Sequence, residues 1–145
     1  MGVRRFLLAC AALFAVALAW NGLFHLVVLR EAEAAVRPLY RPDLADRMSL
    51  SLAAAAALVV LFVWGYRRFA RVGSIREAAG YGLFFALVAG VLVDLNQHVL
   101  FPIPGRLALL WFLGGVVEFT LYGMIVRWVD PPGTGAGCRA ADPAS

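Results

Sequence analysis

The sequence predicts an all-α fold: an integral membrane four-helix bundle whose antiparallel spans run up and down across the bilayer. Two observations predict it. Hydrophobic residues make up 63% of the 145 residues and charged residues only 15%, whereas an ordinary soluble domain is roughly 45–50% apolar and about 25% charged. The chain also contains four runs with almost no charge, each close to the roughly 20 residues that a helix needs to cross a bilayer. A soluble globule and a disordered chain are therefore excluded.

The predicted spans are, in order, residues 6–29, 48–66, 78–101 and 107–126. The first contains no ionisable residue except His25, the third contains Asp94, and the fourth contains Glu118. The connection between the last two is short, which makes them antiparallel neighbours. We expect one membrane domain over residues 1–129 and a disordered cytoplasmic tail over residues 130–145, because the Pro- and Gly-rich start of that tail cannot pack a core.

The N-terminus permits a second interpretation, since Arg4, Arg5 and the following apolar run are also typical of a signal peptide. We favour an uncleaved span because the apolar run continues to Leu29, beyond the usual signal core of about 7–15 residues. Arginine positions predict the orientation: eight lie on the side of the termini and five on the other side, which favours cytoplasmic termini. Cys10 and Cys138 would then both lie on the reducing side, so we expect no disulfide.

Small residues predict how the helices associate. Helix packing in lipid depends on small side chains that let backbones approach. In the third span Gly82, Ala86 and Gly90 recur every four residues, and the same row continues to Asp94 and His98. Residues four apart lie on one helical face. This face is therefore expected to be buried in the bundle, small at one end and polar at the other.

Six polar residues are predicted to form an intramembrane cluster: Asn21, His25, Asp94, His98, Glu118 and Tyr122. From the helical rise, the two histidines lie level near the outer boundary, and Asn21, Asp94 and Glu118 form a deeper tier. Asn96 and Gln97 are expected to turn away from the Asp94 row. Ionisable groups at this depth are costly unless paired, so they indicate a functional site.

The cluster leaves several interpretations open. His25, Asp94 and His98 are ligand types suited to zinc, iron or another transition metal. The carboxyl groups beside a histidine suit a proton relay, and a polar pocket that opens outward suits a small amphiphile. Alternatively, the residues hold the bundle together through interhelical hydrogen bonds, with a neutral Glu118 bonded to Asn21. The sequence identifies no cofactor.

Catalytic signatures are absent from the sequence: it contains no Gly-x-Ser-x-Gly elbow, phosphate-binding loop, His-Glu-x-x-His or Cys-x-x-Cys. Pro38 and Pro42 predict that the first loop is a stiff cap over the bundle. The leading hypothesis is a non-enzymatic accessory or structural component of the membrane, as a homo-oligomer or bound to a membrane partner protein. The alternative is a small oligomeric transporter or a metal- or proton-binding protein; a membrane enzyme with a lipid-like substrate comes third.

The expected surroundings are the lipid bilayer. Nucleic acid is not an expected partner, since the formal net charge is only +4 and no basic cluster stands apart from the apolar runs.

Several short motifs also resemble a group of small, uncharacterised four-helix bacterial membrane proteins. The motifs are Phe24-His25, Tyr40-Arg41-Pro42, Val63-Trp64-Gly65-Tyr66-Arg67, Tyr81-Gly82-Leu83-Phe84-Phe85-Ala86 and Pro102-Ile103-Pro104. The resemblance covers nearly the whole chain up to Val129. It implies the four-helix architecture and a bacterial origin, hence a multi-pass protein of the inner membrane, and it implies no activity.

Overall fold

The structure is a computed structural model that describes residues 2–70 and 73–131. Within these ranges the chain forms helices and connections, without strands. The helices are α1 (Val3–Leu23), α2 (Arg30–Ala34), α3 (Met48–Phe69), α4 (Ile75–Gly90), α5 (Asn96–Leu100) and α6 (Gly105–Val129), with π-helical segments at Phe24–Val28 and Val91–Leu95 and 3₁₀ turns at Arg37–Leu39 and Ala45–Arg47. The predicted tail beyond Pro131, with Cys138, lies outside the described residues.

Four helical stretches are long and apolar enough to cross a membrane. They are Val3–Val28, Ala45–Phe69, Ile75–Leu100 and Gly105–Val129, of 25 or 26 residues each. At about 1.5 Å per residue each reaches roughly 38 Å, more than the hydrocarbon core of about 30 Å. The predicted fold class is confirmed: the chain is a multi-pass membrane protein built as an all-α four-helix bundle.

The bundle has two ends. We call the end with Gly2, Phe69, Ser74 and Asp130 the terminal end, and the end with the connections at residues 29–47 and 101–104 the loop end. At the terminal end the Arg5 guanidinium lies 3.3 Å from the Asp130 carboxylate and joins the start of the first helix to the end of the last.

Helix α4 begins at a capping box at the terminal end. The Ser74 hydroxyl accepts a hydrogen bond from the Glu77 amide, and the Glu77 carboxylate accepts one from the Ser74 amide. These reciprocal bonds satisfy backbone groups that a helix start leaves without partners.

The backbones of α4 and α6 touch. A methyl group at Gly82 would collide with the Phe119 carbonyl, and one at Gly123 would collide with the Ala78 carbonyl. The buried residues of α4 are Ala78, Gly82, Ala86 and Gly90, so the small-residue row of the sequence lies in this contact. Such close approach is how helices gain packing energy in lipid.

An aromatic cluster fills the half of the bundle near the terminal end. Phe62 of α3 is completely buried, and its ring centroid lies 5.1 to 6.0 Å from the rings of Tyr81, Phe85, Phe119 and Tyr122 on α4 and α6. The Tyr81 hydroxyl also donates a hydrogen bond to the Phe62 carbonyl (3.2 Å). Phe62 therefore joins three helices.

The connection between α1 and α3 folds over the loop end. Its Val36 packs with Leu29, Ile103 and Leu107 in a second, smaller core. Further along, hydrogen bonds from Arg41 and Arg47 stabilise the charged form of the Asp43 carboxylate and hold its pKa below its usual range.

Helix α3 packs closely along only half of its length. All its buried residues lie between Val59 and Tyr66. The half nearer the loop end, residues 48–58, is mostly exposed, including most of its alanine run. This half leaves an opening along the side of the bundle.

Candidate functional site

A cavity of about 460 Å³ lies at the loop end; we call it the main cavity. Four of the six predicted cluster residues line it: Asn21, His25, Asp94 and Glu118. The aromatic residues of its wall are Trp20, Phe24, Tyr40, Phe101, Trp111 and Phe119. The main cavity therefore combines apolar walls with a few polar groups, as small-molecule sites do.

The π-helical segments build two sides of the main cavity. Phe24 and His25 belong to the first segment, and Val93 and Asp94 to the second. The Phe24 ring packs where a side chain at Gly114 would collide with it. π-helical turns within α-helices are frequent at functional sites, and here both place cavity residues.

Glu118 accepts two hydrogen bonds at the deep side of the cavity. Asn21 Nδ2 donates to Glu118 Oε1 at 2.9 Å and also to its own helix at the Ala17 carbonyl. The Tyr122 hydroxyl donates to the same oxygen at 2.5 Å. The interhelical bond between Asn21 and Glu118 that the sequence allowed is formed, and Tyr122 reinforces it from one turn along α6.

His25 belongs to a different group of hydrogen bonds. Its Nδ1 pairs with Glu33 Oε1 on α2, and Trp111 Nε1 of α6 donates to the same oxygen at 3.2 Å. Glu33 thus ties the end of the first transmembrane stretch to α6 across the cavity. Sequence reasoning missed Glu33, which it treated only as a loop charge. Its spacing from His25 gave no signal, because residues eight apart in a continuous helix lie about 12 Å apart along the axis, and the two side chains meet only because the chain bends at Leu29.

The carboxyl oxygens of Asp94, which line the cavity, differ from those of Glu118 in their hydrogen bonding. The part of the chain that the structure describes gives Asp94 no hydrogen-bond partner. A methyl group at Gly115 would lie 3.8 Å from Asp94 Oδ2 and within 4 Å of no other neighbour among the described residues, whereas one at Gly90 would collide with the Phe112 ring. Gly115 therefore leaves space beside this carboxyl group.

His98 lies apart from the other predicted site residues. Its Nδ1 donates to the Ile103 carbonyl at 2.6 Å, and its ring lies beside Gly105. It closes the turn between α5 and α6 and is not part of the cavity wall. Gln97 lines the cavity instead, contrary to the prediction that it turns away from Asp94.

The helical repeat explains the exchange of His98 for Gln97. With 3.6 residues per turn, each four-residue step rotates by about 40°, so a row of such steps leaves the face on which it started. The cavity face contains Val93, Asp94, Gln97 and Phe101, and the π-helical segment Val91–Leu95 before Gln97 changes the helical register as well.

A metal site receives no support from this arrangement. Among residues 2–70 and 73–131, no group of three His, Cys, Asp or Glu side chains is placed to hold a metal ion. Of the metal candidates, His25 and Asp94 share the cavity, whereas His98 is bonded elsewhere. The geometry brings together polar groups that suit hydrogen bonding to a ligand.

Tyr40 brings the first loop into the cavity wall. Its partial burial and, to a smaller extent, the negative charge of Glu33 raise the pKa of Tyr40 above its usual value. The hydroxyl group, which is protonated at neutral pH in any tyrosine with an ordinary or raised pKa, can donate a hydrogen bond.

A second opening adjoins the main cavity along the side of the bundle. This lateral groove, of about 320 Å³, lies between α1, α3 and α6. It shares Asn21, Glu118 and Phe119 with the main cavity. Its other residues are largely apolar, with Ser51 and Tyr122 as exceptions. The polar cavity thus continues into an apolar groove on the flank of the bundle.

The aromatic cluster closes the main cavity toward the terminal end. Phe119 lines the cavity on one side and stacks on Phe62 on the other, with ring centroids 6.0 Å apart. The aromatic cluster therefore forms a floor for the cavity on this side.

Comparisons with known proteins add no relative: no protein-family model, no curated protein and no solved structure matches this chain. The resemblance to small bacterial membrane proteins gains no support from them.

Proposed function

We propose that this membrane protein is a non-enzymatic accessory component that binds a small amphiphile at the loop end of its bundle. The main cavity carries the proposal. Its volume of about 460 Å³ falls within the roughly 300–1,000 Å³ of small-molecule sites. The adjoining lateral groove supports the choice of an amphiphile as ligand. The groove is largely apolar and meets the main cavity at Asn21 and Glu118, so a ligand could place its polar part in the cavity and its apolar part in the groove.

The hydrogen bonds around the cavity support a preformed binding pocket. Asn21 and Tyr122 both donate to Glu118, while His25 and Trp111 both contact Glu33. These bonds hold helices at fixed separations, which preserves the shape of a pocket.

The alternative function, an oligomeric transporter or a metal- or proton-binding protein, has weaker support. Transport would require the Phe62 cluster to open, since it forms the floor of the cavity. Binding requires no such rearrangement.

The location in the bacterial inner membrane, with the loop end outside, is also part of the proposal. The bias of eight arginines against five supports it. A reporter that is active only in the periplasm, fused after Ser145, is expected to be inactive. Activity of the reporter would show that the orientation is the opposite of the proposed one.

Association with a second copy or a membrane partner protein completes the proposal. The exposed, alanine-rich half of α3 supports it, because small side chains allow close helix contacts in lipid. Crosslinking in native membranes should capture a dimer or a partner, and a chain found only as a monomer would contradict this part.

The test of amphiphile binding fills the cavity without disturbing the backbone. A side chain at Gly115 meets Asp94 only at an ordinary contact distance of 3.8 Å, so Gly115→Leu should place its side chain in the cavity. Gly80→Leu is the matched control, because Gly80 has no neighbour within 4 Å and is exposed.

The proteins are extracted with their surrounding lipids into polymer nanodiscs, and the co-extracted molecules are identified by mass spectrometry. We expect one amphiphile to be enriched over bulk lipid in the unmodified protein and in Gly80→Leu, and to be lost from Gly115→Leu. The same composition in all three samples would overturn the proposal.

A further inference from the structure

We propose that the ligand of the main cavity is a hydrophobic organic cation, with Asp94 as its counter-ion. This inference rests on the proposed function and specifies its ligand class. It follows from three properties of the cavity: the sign of its charges, the aromatic composition of its wall, and the free carboxyl group at its side.

The ionisable groups of the cavity wall are mostly acidic. Asp94 and Glu118 both line it, and His25, the basic residue among them, is paired with Glu33. No arginine lines the described wall, and the chain contains no lysine. In the low dielectric of a membrane, such a wall favours a cation over a neutral or anionic molecule of the same shape.

The aromatic residues supply the second half of the recognition. Trp20, Phe24, Tyr40 and Trp111 stand around the cavity, and aromatic faces attract cations within about 6 Å of their centroids. The same rings provide apolar contact for the hydrocarbon part of the ligand. A compact, strongly hydrated inorganic cation would use neither property of these rings.

Asp94 is the carboxyl group that is available to bind the ligand. Glu118 already accepts hydrogen bonds from Asn21 and Tyr122, whereas Asp94 has no hydrogen-bond partner among the described residues. The space beside Gly115 leaves room for a cationic group next to its carboxylate.

The test uses two hydrophobic ions with the same shape and opposite charge, tetraphenylphosphonium and tetraphenylborate. Equilibrium dialysis measures the binding of each to the full chain in a non-ionic detergent. We expect the phosphonium to bind at least ten times more tightly than the borate. Asp94→Asn should weaken phosphonium binding at least tenfold without weakening borate binding, and Asp94→Glu, which keeps the charge, should retain the preference for the cation.

The variants distinguish the two proposals. If both ions bind equally, Asp94→Asn changes neither, and Gly115→Leu abolishes both, the cavity binds ligands but the cation inference is wrong. If neither ion binds while a native amphiphile is displaced by Gly115→Leu, the inference is also wrong and the proposed function stands. If Gly115→Leu changes no binding and no co-extracted molecule, both fail. Circular dichroism of each variant verifies that it is folded.

Discussion

In the half of the bundle near the terminal end the helices are in direct backbone and ring contact, whereas in the half near the loop end they separate around a cavity. Gly82 and Gly123 face backbone carbonyls of the opposite helix. Gly114 faces an aromatic ring, and Gly115 faces open space beside Asp94. Glycine therefore has different effects in the two halves. It allows close contact between helices where a backbone lies opposite it, and it leaves a space where Gly115 lies beside Asp94.

Polar groups are divided in the same way. In the terminal half the buried core is aromatic and aliphatic around Phe62. Toward the loop end, Asn21, Glu118, His25 and Glu33 form hydrogen bonds between helices. The larger packed core lies in the first half, whereas the second half combines a smaller core with hydrogen bonds between side chains of different helices, an arrangement that leaves room for a pocket.

The largest expected effect comes from Gly82→Leu. Its side chain would overlap the Phe119 backbone, and neither helix can move away without losing the contact, so we expect the bundle not to fold. Overpacking in a core typically costs about 1–3 kcal/mol and occasionally more, and we expect this substitution to exceed that range because it collides with backbone atoms, which cannot rotate aside as a side chain can. Gly80→Leu, on the exposed side of α4, is expected to fold. Yield and circular dichroism after purification compare the two, and a folded Gly82→Leu protein would show that the halves differ less than we argue.

The next effect is that of Phe62→Ala, which removes the ring that joins three helices. Truncation of a buried Phe costs about 3–5 kcal/mol. Phe84→Ala is the control, since Phe84 is 66% exposed while Phe62 is 0% exposed. Unfolding by sodium dodecyl sulfate, followed by circular dichroism, measures both free energies. Equal losses would mean that the Phe62 cluster is not the centre of stability.

A smaller effect is expected from Asn21→Ala in the loop half. Interhelical hydrogen bonds in membrane proteins contribute about 0.6 kcal/mol on average and up to about 1.7, and Asn21 makes one such bond, to Glu118. Asn96→Ala, at an exposed position, should leave the free energy of unfolding unchanged. If Asn21→Ala lowered the free energy of unfolding as much as Phe62→Ala does, the proposed difference between the packed terminal half and the hydrogen-bonded loop half would be wrong.

Parts of the site were predictable from the residues themselves. A carboxyl group in the middle of an apolar span requires a partner, so Glu118 had to lie inside the bundle, and Asn21 was the amide at a similar depth. Glu33 was not predictable in this way, because it follows the first apolar run and looks like an ordinary loop charge. Its role depends on α2 turning it back toward His25 and Trp111.

The sequence by itself determined that four helices cross a membrane. A segment surrounded by lipid must have apolar side chains, and its backbone N–H and C=O groups must be hydrogen-bonded within the helix, because lipid offers them no partners. It also determined that α4 and α6 are neighbours, since their connection is short and their faces are small. Only the tertiary structure decided which polar groups meet. Which polar groups meet depends on how each helix is rotated about its axis. A rotation of a few tens of degrees, together with the two π-helical segments, places Gln97 in the cavity and His98 outside it.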